Sequence, residues 1–151
     1  MNREIKAKEN PCRFMDYSFE VAIIEDNKLI NLVLTNELDS TINKIRDSKN
    51  YPIKFSSFHY GTDFLSYLEN HEFSNSKLIV FSDYYLEKEM NGAKILSKIK
   101  QKGIDATVII MSDTTNQQTS VDTVEMGAYC FLPKNNETPL ICSQMLSSMV
   151  N

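Results

Sequence analysis

The sequence predicts a single α/β domain in which helices cover both faces of a five-stranded parallel sheet. Five short strand-like runs alternate along the chain with five segments of helical periodicity. Strands that are joined by helical crossovers run parallel. Four of these strands end in or lead directly into acidic, hydroxyl or amine side chains. The length of 151 residues fits one domain. This doubly wound architecture brings the carboxyl ends of the strands to one edge of the sheet.

The first strand, Val21–Ile24, follows a charged segment. Residues Met1 to Ser18 have few apolar anchors, so we expect a flexible extension there and a domain over residues 19–151. Helical spacing of apolar residues then predicts a helix from near Lys28 toward Arg46, which the polar stretch Asp47–Tyr51 ends. Its apolar positions are Ile30, Leu34, Leu38, Ile42 and Ile45.

The next strand is predicted to lie at an edge of the sheet. Pro52–Phe58 alternates apolar and polar residues, which is the period of a half-exposed strand. Gly61 opens a short helix, whose inner stripe is Phe64, Leu65 and Leu68. The apolar run Leu78–Ser82 follows and forms a buried third strand that ends at Asp83.

The second half of the chain repeats the alternation. Gly92 precedes a helix that carries Ile95, Leu96 and Ile99 and ends at Gly103, a residue suited to a left-handed cap. Thr107–Met111 forms the fourth strand and ends at Ser112.

The last three elements differ in apolar content. Asn116–Met126 is the weakest helix, because Val121, Val124 and Met126 are its main apolar residues; we expect it to be mobile, with Gly127 as its cap. Tyr129–Pro133 forms the fifth strand and ends at Lys134, and Thr138–Val150 forms a final helix that is apolar on more than one face.

The amino-acid composition limits the classes of function and the cellular compartments that fit this chain. A net charge of −4 and a pI near 5.2 argue against nucleic-acid binding by this domain alone. Cys12, Cys130 and Cys142 have no paired spacing, which suits a reducing compartment. No apolar run approaches the roughly 18 residues of a membrane span, and the amino terminus has no apolar signal core. We therefore expect a soluble, cytoplasmic protein that does not contact a membrane.

The strand ends predict a phosphoryl-transfer site. Glu25, Asp26 and Asp83 would place about three negative charges in one pocket, and Mg²⁺ is the natural cation for such oxygen ligands. An aspartate beside such an ion can act as a nucleophile toward a phosphoryl group, and Asp83 is central. Lys134 and Ser112 could contact the phosphoryl oxygens. Each residue alone is more simply a turn, cap or surface residue; their coincidence favours a site.

These residues, in this order, resemble the receiver domain of two-component response regulators. The resemblance runs from about Phe19 to the carboxyl terminus. Its matching segments are Ile23–Asp26, Leu78–Asp83 with Gly92 downstream, Val108–Ser112 and Gly127–Lys134. It implies a flavodoxin-like fold with sheet order 2-1-3-4-5.

The resemblance also implies roles and partners. Asp83 would accept a phosphoryl group from a histidine kinase or a histidine phosphotransfer protein. Mg²⁺ would be held by Asp26, Asp83 and the backbone carbonyl of Tyr85, with Glu25 acting through water. Ser112 and Phe131 match the family's switch pair, which alters the surface formed by the fourth helix, fifth strand and fifth helix. A downstream effector protein, and a homodimer through the last helix, are the implied partners; the domain itself would not be an enzyme.

Three departures from the family pattern bear on this assignment. Asp83 and Gly92 are nine residues apart, without the usual loop proline, so the loop is one residue longer. Asp113 stands where a small residue normally follows the hydroxyl residue, and its charge could repel a phosphoryl group. Asn135 replaces the proline that commonly follows the lysine with a cis peptide, which leaves that bond's geometry open.

Two alternatives remain open at the level of sequence. A degenerate receiver would act as a phosphorylation-independent interaction module, with Asp113 as the modulating residue. A haloacid-dehalogenase-type phosphohydrolase uses a similar residue set, but that family begins with its nucleophile in an Asp-x-Asp pair, whereas Asp83 is followed by Tyr84 and Tyr85. The chain also lacks the glycine-rich loops of nucleotide-binding proteins. The cognate kinase, the pathway and any further domain of a longer regulator are not encoded in these patterns.

Overall fold

The fold is a parallel sheet of five strands between two layers of helices. The computed structural model describes residues 18–73, 75–113 and 116–150. The strands are β1 Ser18–Ile24, β2 Ile53–Phe58, β3 Ser76–Asp83, β4 Ala106–Ser112 and β5 Cys130–Pro133. The helices are α1 Lys28–Lys49, α2 Gly61–Asn70, α3 Gly92–Gln101, α4 Gln117–Glu125 and α5 Thr138–Val150. The strand order is β2-β1-β3-β4-β5 and every pair is parallel, which confirms the predicted fold.

Alternation along the central strand divides the core between the two faces of the sheet. On β3, Ile79 and Phe81 pack in a cluster with α1 and α5, whereas Leu78 and Val80 pack in a cluster with α2 and α3. Because both faces are covered, β3 reads as a continuous apolar run. At the edge, β2 buries Ile53 and exposes Lys54, so the predicted edge strand is confirmed.

Helix α1 is about one turn longer than the sequence predicts. It continues through the polar residues Asp47 and Ser48 to Lys49. Asn50 then adopts the left-handed conformation, with φ 57°, and its N–H donates to the carbonyl of Arg46. Arg46 in turn donates to the carbonyl of Ile53 in β2. The left-handed cap, rather than the polar composition, sets the end of the helix.

Helix α4 has the thinnest packing. Its buried residue is Thr123, whose hydroxyl donates to the carbonyl of Thr119. Val121 and Val124 are exposed, and so is Met126 at its C-cap. Few buried apolar contacts are typical of segments that open locally at low cost, so the mobility expected for α4 stays a prediction.

The remaining sequence expectations concern the amino terminus and membranes. Apart from Ser18, which begins β1, the predicted extension Met1–Ser18 lies outside the described residues. None of the described helices has the length and apolar character needed to cross a membrane.

Candidate functional site

Four strand ends meet at the carboxyl edge of the sheet. In the strand register, Ile24 lies opposite Ser82, Asp83 opposite Met111, and Ser112 opposite Pro133. The side chains that end or follow these strands therefore project into one crevice, where ligands of open parallel sheets bind. The structure thus places at one edge of the sheet the four strand ends from which the sequence predicts a site.

Three carboxylates form the centre of this crevice. Glu25, Asp26 and Asp83 each offer an oxygen, and these atoms lie within 4.8 Å of one another. Glu25 is fully buried, Asp83 is 6% exposed and Asp26 is exposed. Burial strengthens repulsion among like charges, so the cluster is unfavourable without a compensating cation.

Lys134 supplies a compensating charge from the end of β5. Its Nζ lies 2.6 Å from Oε1 of Glu25 and 3.1 Å from Oδ2 of Asp83. Its backbone N–H donates to the carbonyl of Ser112 at 2.9 Å, which fixes the lysine beside β4. The peptide bond to Asn135 is trans, since the described residues contain no cis peptide. Lys134 therefore contacts two of the three acids.

The neighbouring charges and burial shift the pKa values of both Asp83 and Lys134. Burial raises the pKa of Asp83 to about 7, the charge of Glu25 adds to this, and Lys134 offsets only part of it. Burial alone would lower the pKa of Lys134, but its hydrogen bond to Glu25 and the charges of Asp83 and Glu25 raise it above the usual value. Asp83 is thus a carboxyl whose ionisation the pocket opposes, which is a common property of reactive acids.

Two asparagines hold the acidic turn after β1, and sequence reasoning did not single them out. The N–H of Asn27 donates to Oε2 of Glu25 at 3.1 Å, and the Asn27 side chain accepts from the N–H of Ile30 as the N-cap of α1. Buried Asn31 donates to the carbonyls of Glu25, at 3.0 Å, and Phe58, at 3.2 Å. These bonds tie α1 to the ends of β1 and β2.

The hydrogen bonds of Asn31 predict a large effect on stability. Its Oδ1 also accepts from the hydroxyls of Thr35 and Ser57, so all its hydrogen-bonding groups are used. Asn31→Ala removes the side-chain donor to the buried Glu25 carbonyl, while the Phe58 carbonyl keeps the N–H of Glu25, and we expect the variant to lower the free energy of unfolding by about 1 to 3 kcal/mol. Urea denaturation measures this. Asn36→Ala, at an exposed position of the same helix, is the control; an equal effect in both variants would contradict the prediction.

The predicted switch residues lie on the β4–β5 side of the pocket. Ser112 is fully buried at the end of β4. Phe131 is half-buried in β5, and its ring centroid is 6.1 Å from that of Tyr84, which directly follows Asp83. Aromatic pairs at this distance interact favourably. The segment after Asp83 is therefore in contact with the aromatic residue of β5.

Asp113 lies at the mouth of a cleft beside Lys134. The cleft has a volume of about 360 Å³ and lies between the amino ends of α1 and α5; Leu29, Val33, Asp113, Lys134 and Pro139 are among its lining residues. The Asp113 side chain is exposed. A wider cleft of about 620 Å³ lies at the opposite end of the sheet, and none of the predicted site residues lines it.

The donor set of the pocket suits a divalent cation. All three converging acids offer hard carboxylate oxygens, which Mg²⁺ prefers. Tyr85 follows Asp83 by two residues in the β3–α3 connection, so its carbonyl belongs to the same edge of the sheet. The residues present therefore fit a magnesium site better than a site for a softer metal.

Comparison with known proteins identifies the fold and the family. A family model described as "Response regulator receiver domain" matches residues 21–145. The chain belongs to this family. No curated protein matches the sequence significantly. The family match supports the receiver interpretation and not the haloacid-dehalogenase alternative.

Solved structures show the same architecture at low sequence identity. The receiver domain of a DNA-binding response regulator (merR) from Colwellia psychrerythraea 34H has a TM-score of 0.68 at 20% identity, covering 87% of this chain and 98% of that one. The receiver domain of a Luxo repressor protein from Vibrio parahaemolyticus has a TM-score of 0.62 at 23% identity, covering 84% and 87%. The beryllofluoride-activated NtrC4 receiver domain, solved as a dimer, has a TM-score of 0.63 at 18% identity, covering 87% and 98%.

Family membership places the chain in two-component signalling. Receiver domains are phosphorylated signalling modules with an acidic Mg²⁺ pocket, and they also have autophosphatase activity. They interact with histidine kinases and with effector domains.

Proposed function

We propose that this receiver domain accepts a phosphoryl group on Asp83 from a phosphohistidine of a histidine kinase or a phosphotransfer protein. The observation that carries the proposal is the position of Asp83, which ends the central strand beside two further acids and 3.1 Å from the Lys134 ammonium. A degenerate pocket would be expected to lack one of these charged groups. The chain retains all of them.

The transfer step uses residues of the pocket in distinct roles. A carboxylate oxygen of Asp83 attacks the phosphorus atom, the bond from phosphorus to the histidine nitrogen breaks, and its electron pair stays on the imidazole, which leaves an acyl phosphate. Lys134 would pair with a phosphoryl oxygen, and Ser112 would donate a hydrogen bond to another. Mg²⁺, held by Asp26, Asp83 and the Tyr85 carbonyl with Glu25 acting through water, would neutralise negative charge at the reacting oxygens.

The exposed apolar side chains around the pocket mouth suit a protein phosphodonor. Leu29, Leu32 and Val33 of α1 are 69%, 55% and 48% exposed, and Leu140 of α5 is 54% exposed. Leu29 and Val33 line the 360 Å³ cleft that reaches Lys134, and Leu32 and Leu140 are each the direct sequence neighbour of a lining residue. Exposed apolar groups next to a reactive site mark contact surfaces for proteins, so we propose that the donor docks here.

We propose that the output surface, which changes on phosphorylation, is formed by α4, β5 and α5. Phe131 connects it to the site, because its ring lies beside Tyr84. Val121 and Val124 of α4 are exposed, and so is Tyr129, which directly precedes β5. We propose that a phosphoryl group on Asp83 draws the Ser112 hydroxyl toward it, that Phe131 turns inward, and that an effector or a second copy of the chain binds this altered surface.

Intact-mass measurement tests the phosphorylation proposal. The native chain, incubated with Mg²⁺ and acetyl phosphate, should gain one phosphoryl group, and Asp83→Ala should gain none. Asp63→Ala, at an exposed position of α2, is the matched control and should be labelled like the native chain. Equal labelling of native chain and Asp83→Ala would refute the assignment of the acceptor.

One observation favours the second candidate, a phosphorylation-independent interaction module. The Asp113 carboxylate borders the same cleft as Lys134, where it would repel an incoming phosphoryl group. Asp113→Ala tests this candidate in the same assay. No adduct in the native chain together with an adduct in Asp113→Ala would show an intact pocket that Asp113 suppresses, and would support the module.

A further inference from the structure

The loop between β3 and α3 folds into a closed turn. Gly92 donates its N–H to the carbonyl of Tyr84 at 2.7 Å, and Tyr85 forms an antiparallel bridge with Asn91. Nearer the tip, Leu86 donates to the carbonyl of Met90 at 3.2 Å, and Met90 donates to that of Glu87 at 2.8 Å. The loop is thus a small hairpin whose tip, Glu87 to Glu89, projects beyond Tyr85.

The Glu87 side chain joins this tip to the start of α2. Its carboxylate accepts the N–H of Gly61 at 2.9 Å, the N–H of Thr62 at 3.0 Å and the hydroxyl of Thr62 at 3.1 Å. Helix N-termini leave N–H groups without partners inside the helix and favour negative charge. The N-cap residue Tyr60 makes no side-chain cap bond. Glu87 therefore caps α2 from a separate loop.

Packing at Gly61 brings the loop and helix into direct contact. A Cβ on Gly61 would lie 2.4 Å from Cγ of Met90 and 3.1 Å from Cδ1 of Leu86, so the loop fills the space that a side chain would need. Leu86 is buried. The apolar contacts of Leu86 and Met90 and the hydrogen bonds of Glu87 together attach the hairpin to the start of α2.

We infer that Glu87 is a positioning residue, which anchors the hairpin on α2 and thereby holds the Tyr85 carbonyl in place for the divalent cation. The inference rests on the proposed function, because that function assigns the carbonyl to the cation. This loop is one residue longer than the family pattern and lacks its proline. A loop without proline has more conformational freedom to lose, and an anchored tip restricts it. Outer partners of this kind orient the groups that contact a metal.

Magnesium affinity measured by isothermal titration calorimetry tests the inference. Glu87→Ala should raise the dissociation constant for Mg²⁺ by about tenfold, the lower end for the loss of an outer partner. Glu89→Ala changes an exposed acid of the same loop and should leave the constant within about twofold, which controls for the lost negative charge. Labelling by acetyl phosphate should need a higher Mg²⁺ concentration for its half-maximal rate in Glu87→Ala than in Glu89→Ala, because loss of the anchor lowers the occupancy of the cation site.

A second pair of variants guards against misfolding. Thr62→Val removes one of the three bonds to Glu87 and should weaken Mg²⁺ binding by a smaller factor than Glu87→Ala, and the double variant should bind like Glu87→Ala alone. Additive effects, or Mg²⁺ affinities equal to the native value in both single variants, would overturn the inference and leave Glu87 as a cap of α2 only. If the native chain bound Mg²⁺ but gained no phosphoryl group, the proposed function would fail. The Mg²⁺ affinities of the variants would still decide the role of Glu87. A native chain that did not bind Mg²⁺ would overturn the inference itself.

Discussion

Asp83→Asn is expected to make the metal-free protein more stable at pH 8, although it removes the proposed acceptor. Asp83 shares a buried pocket with Glu25 and Asp26, and their oxygens lie within 4.8 Å of one another. A pKa raised from 3.8 to about 7 corresponds to a penalty on the charged form of about 4 kcal/mol. If asparagine avoids half of this penalty, the melting temperature rises by roughly 4 to 8 °C.

The gain should depend on pH in a defined direction. Because the pKa of Asp83 is higher in the folded than in the unfolded chain, the folded state binds the proton more tightly. The stability of the native chain therefore falls as pH rises from about 4 to about 7, whereas an asparagine does not titrate. The advantage of Asp83→Asn should be full at pH 8 and should shrink as pH falls toward 4.

Thermal unfolding in EDTA across this pH range measures the effect. Asp39→Asn, at an exposed position of α1, is the control and should change the melting temperature little. Adding Mg²⁺ should raise the melting temperature of the native chain more than that of Asp83→Asn, because a ligand that binds the folded state stabilises it in proportion to its affinity. A lower melting temperature for Asp83→Asn at pH 8 would show that the ion pair with Lys134 outweighs the repulsion.

The location of the site could be predicted because it depends on topology. Parallel strands place their carboxyl ends at one edge, so the acids after β1 and β3, Ser112 and Lys134 had to converge once five alternating units were recognised. No distance was needed for that inference. The strand order came from family resemblance, since periodicity alone does not fix which strands are neighbours.

The residues that support the site could not be predicted, because their contacts do not follow from the order of the strands. Glu87 and Gly61 are 26 residues apart, and so are Asn31 and Ser57, and these side chains meet only because of how loops and helix ends pack. An asparagine within a helix and a glutamate in a polar loop carry no distinguishing local pattern. Helix α1 passed its predicted end because a left-handed Asn50 terminates it, and this conformation depends on backbone geometry rather than polarity.

Lys134→Met is expected to have the opposite effect to Asp83→Asn. The Lys134 side chain is 8% exposed, and its ammonium contacts both Glu25 and Asp83. Removing one partner of a buried ion pair leaves uncompensated charge and typically costs about 3 to 5 kcal/mol. In EDTA at pH 8 we therefore expect the melting temperature to fall by roughly 6 to 20 °C.

The double variant separates loss of charge balance from loss of packing. Lys134→Met combined with Asp83→Asn removes one charge of each sign, so it should recover part of the stability that Lys134→Met alone loses. The control Lys98→Met changes an exposed lysine of α3 and should shift the melting temperature by no more than about 2 °C. If Lys134→Met behaves like this control, the ammonium does not neutralise the acids in solution. Recovery in the double variant would instead show that the pocket is held by electrostatic balance, which a phosphoryl group on Asp83 would then disturb.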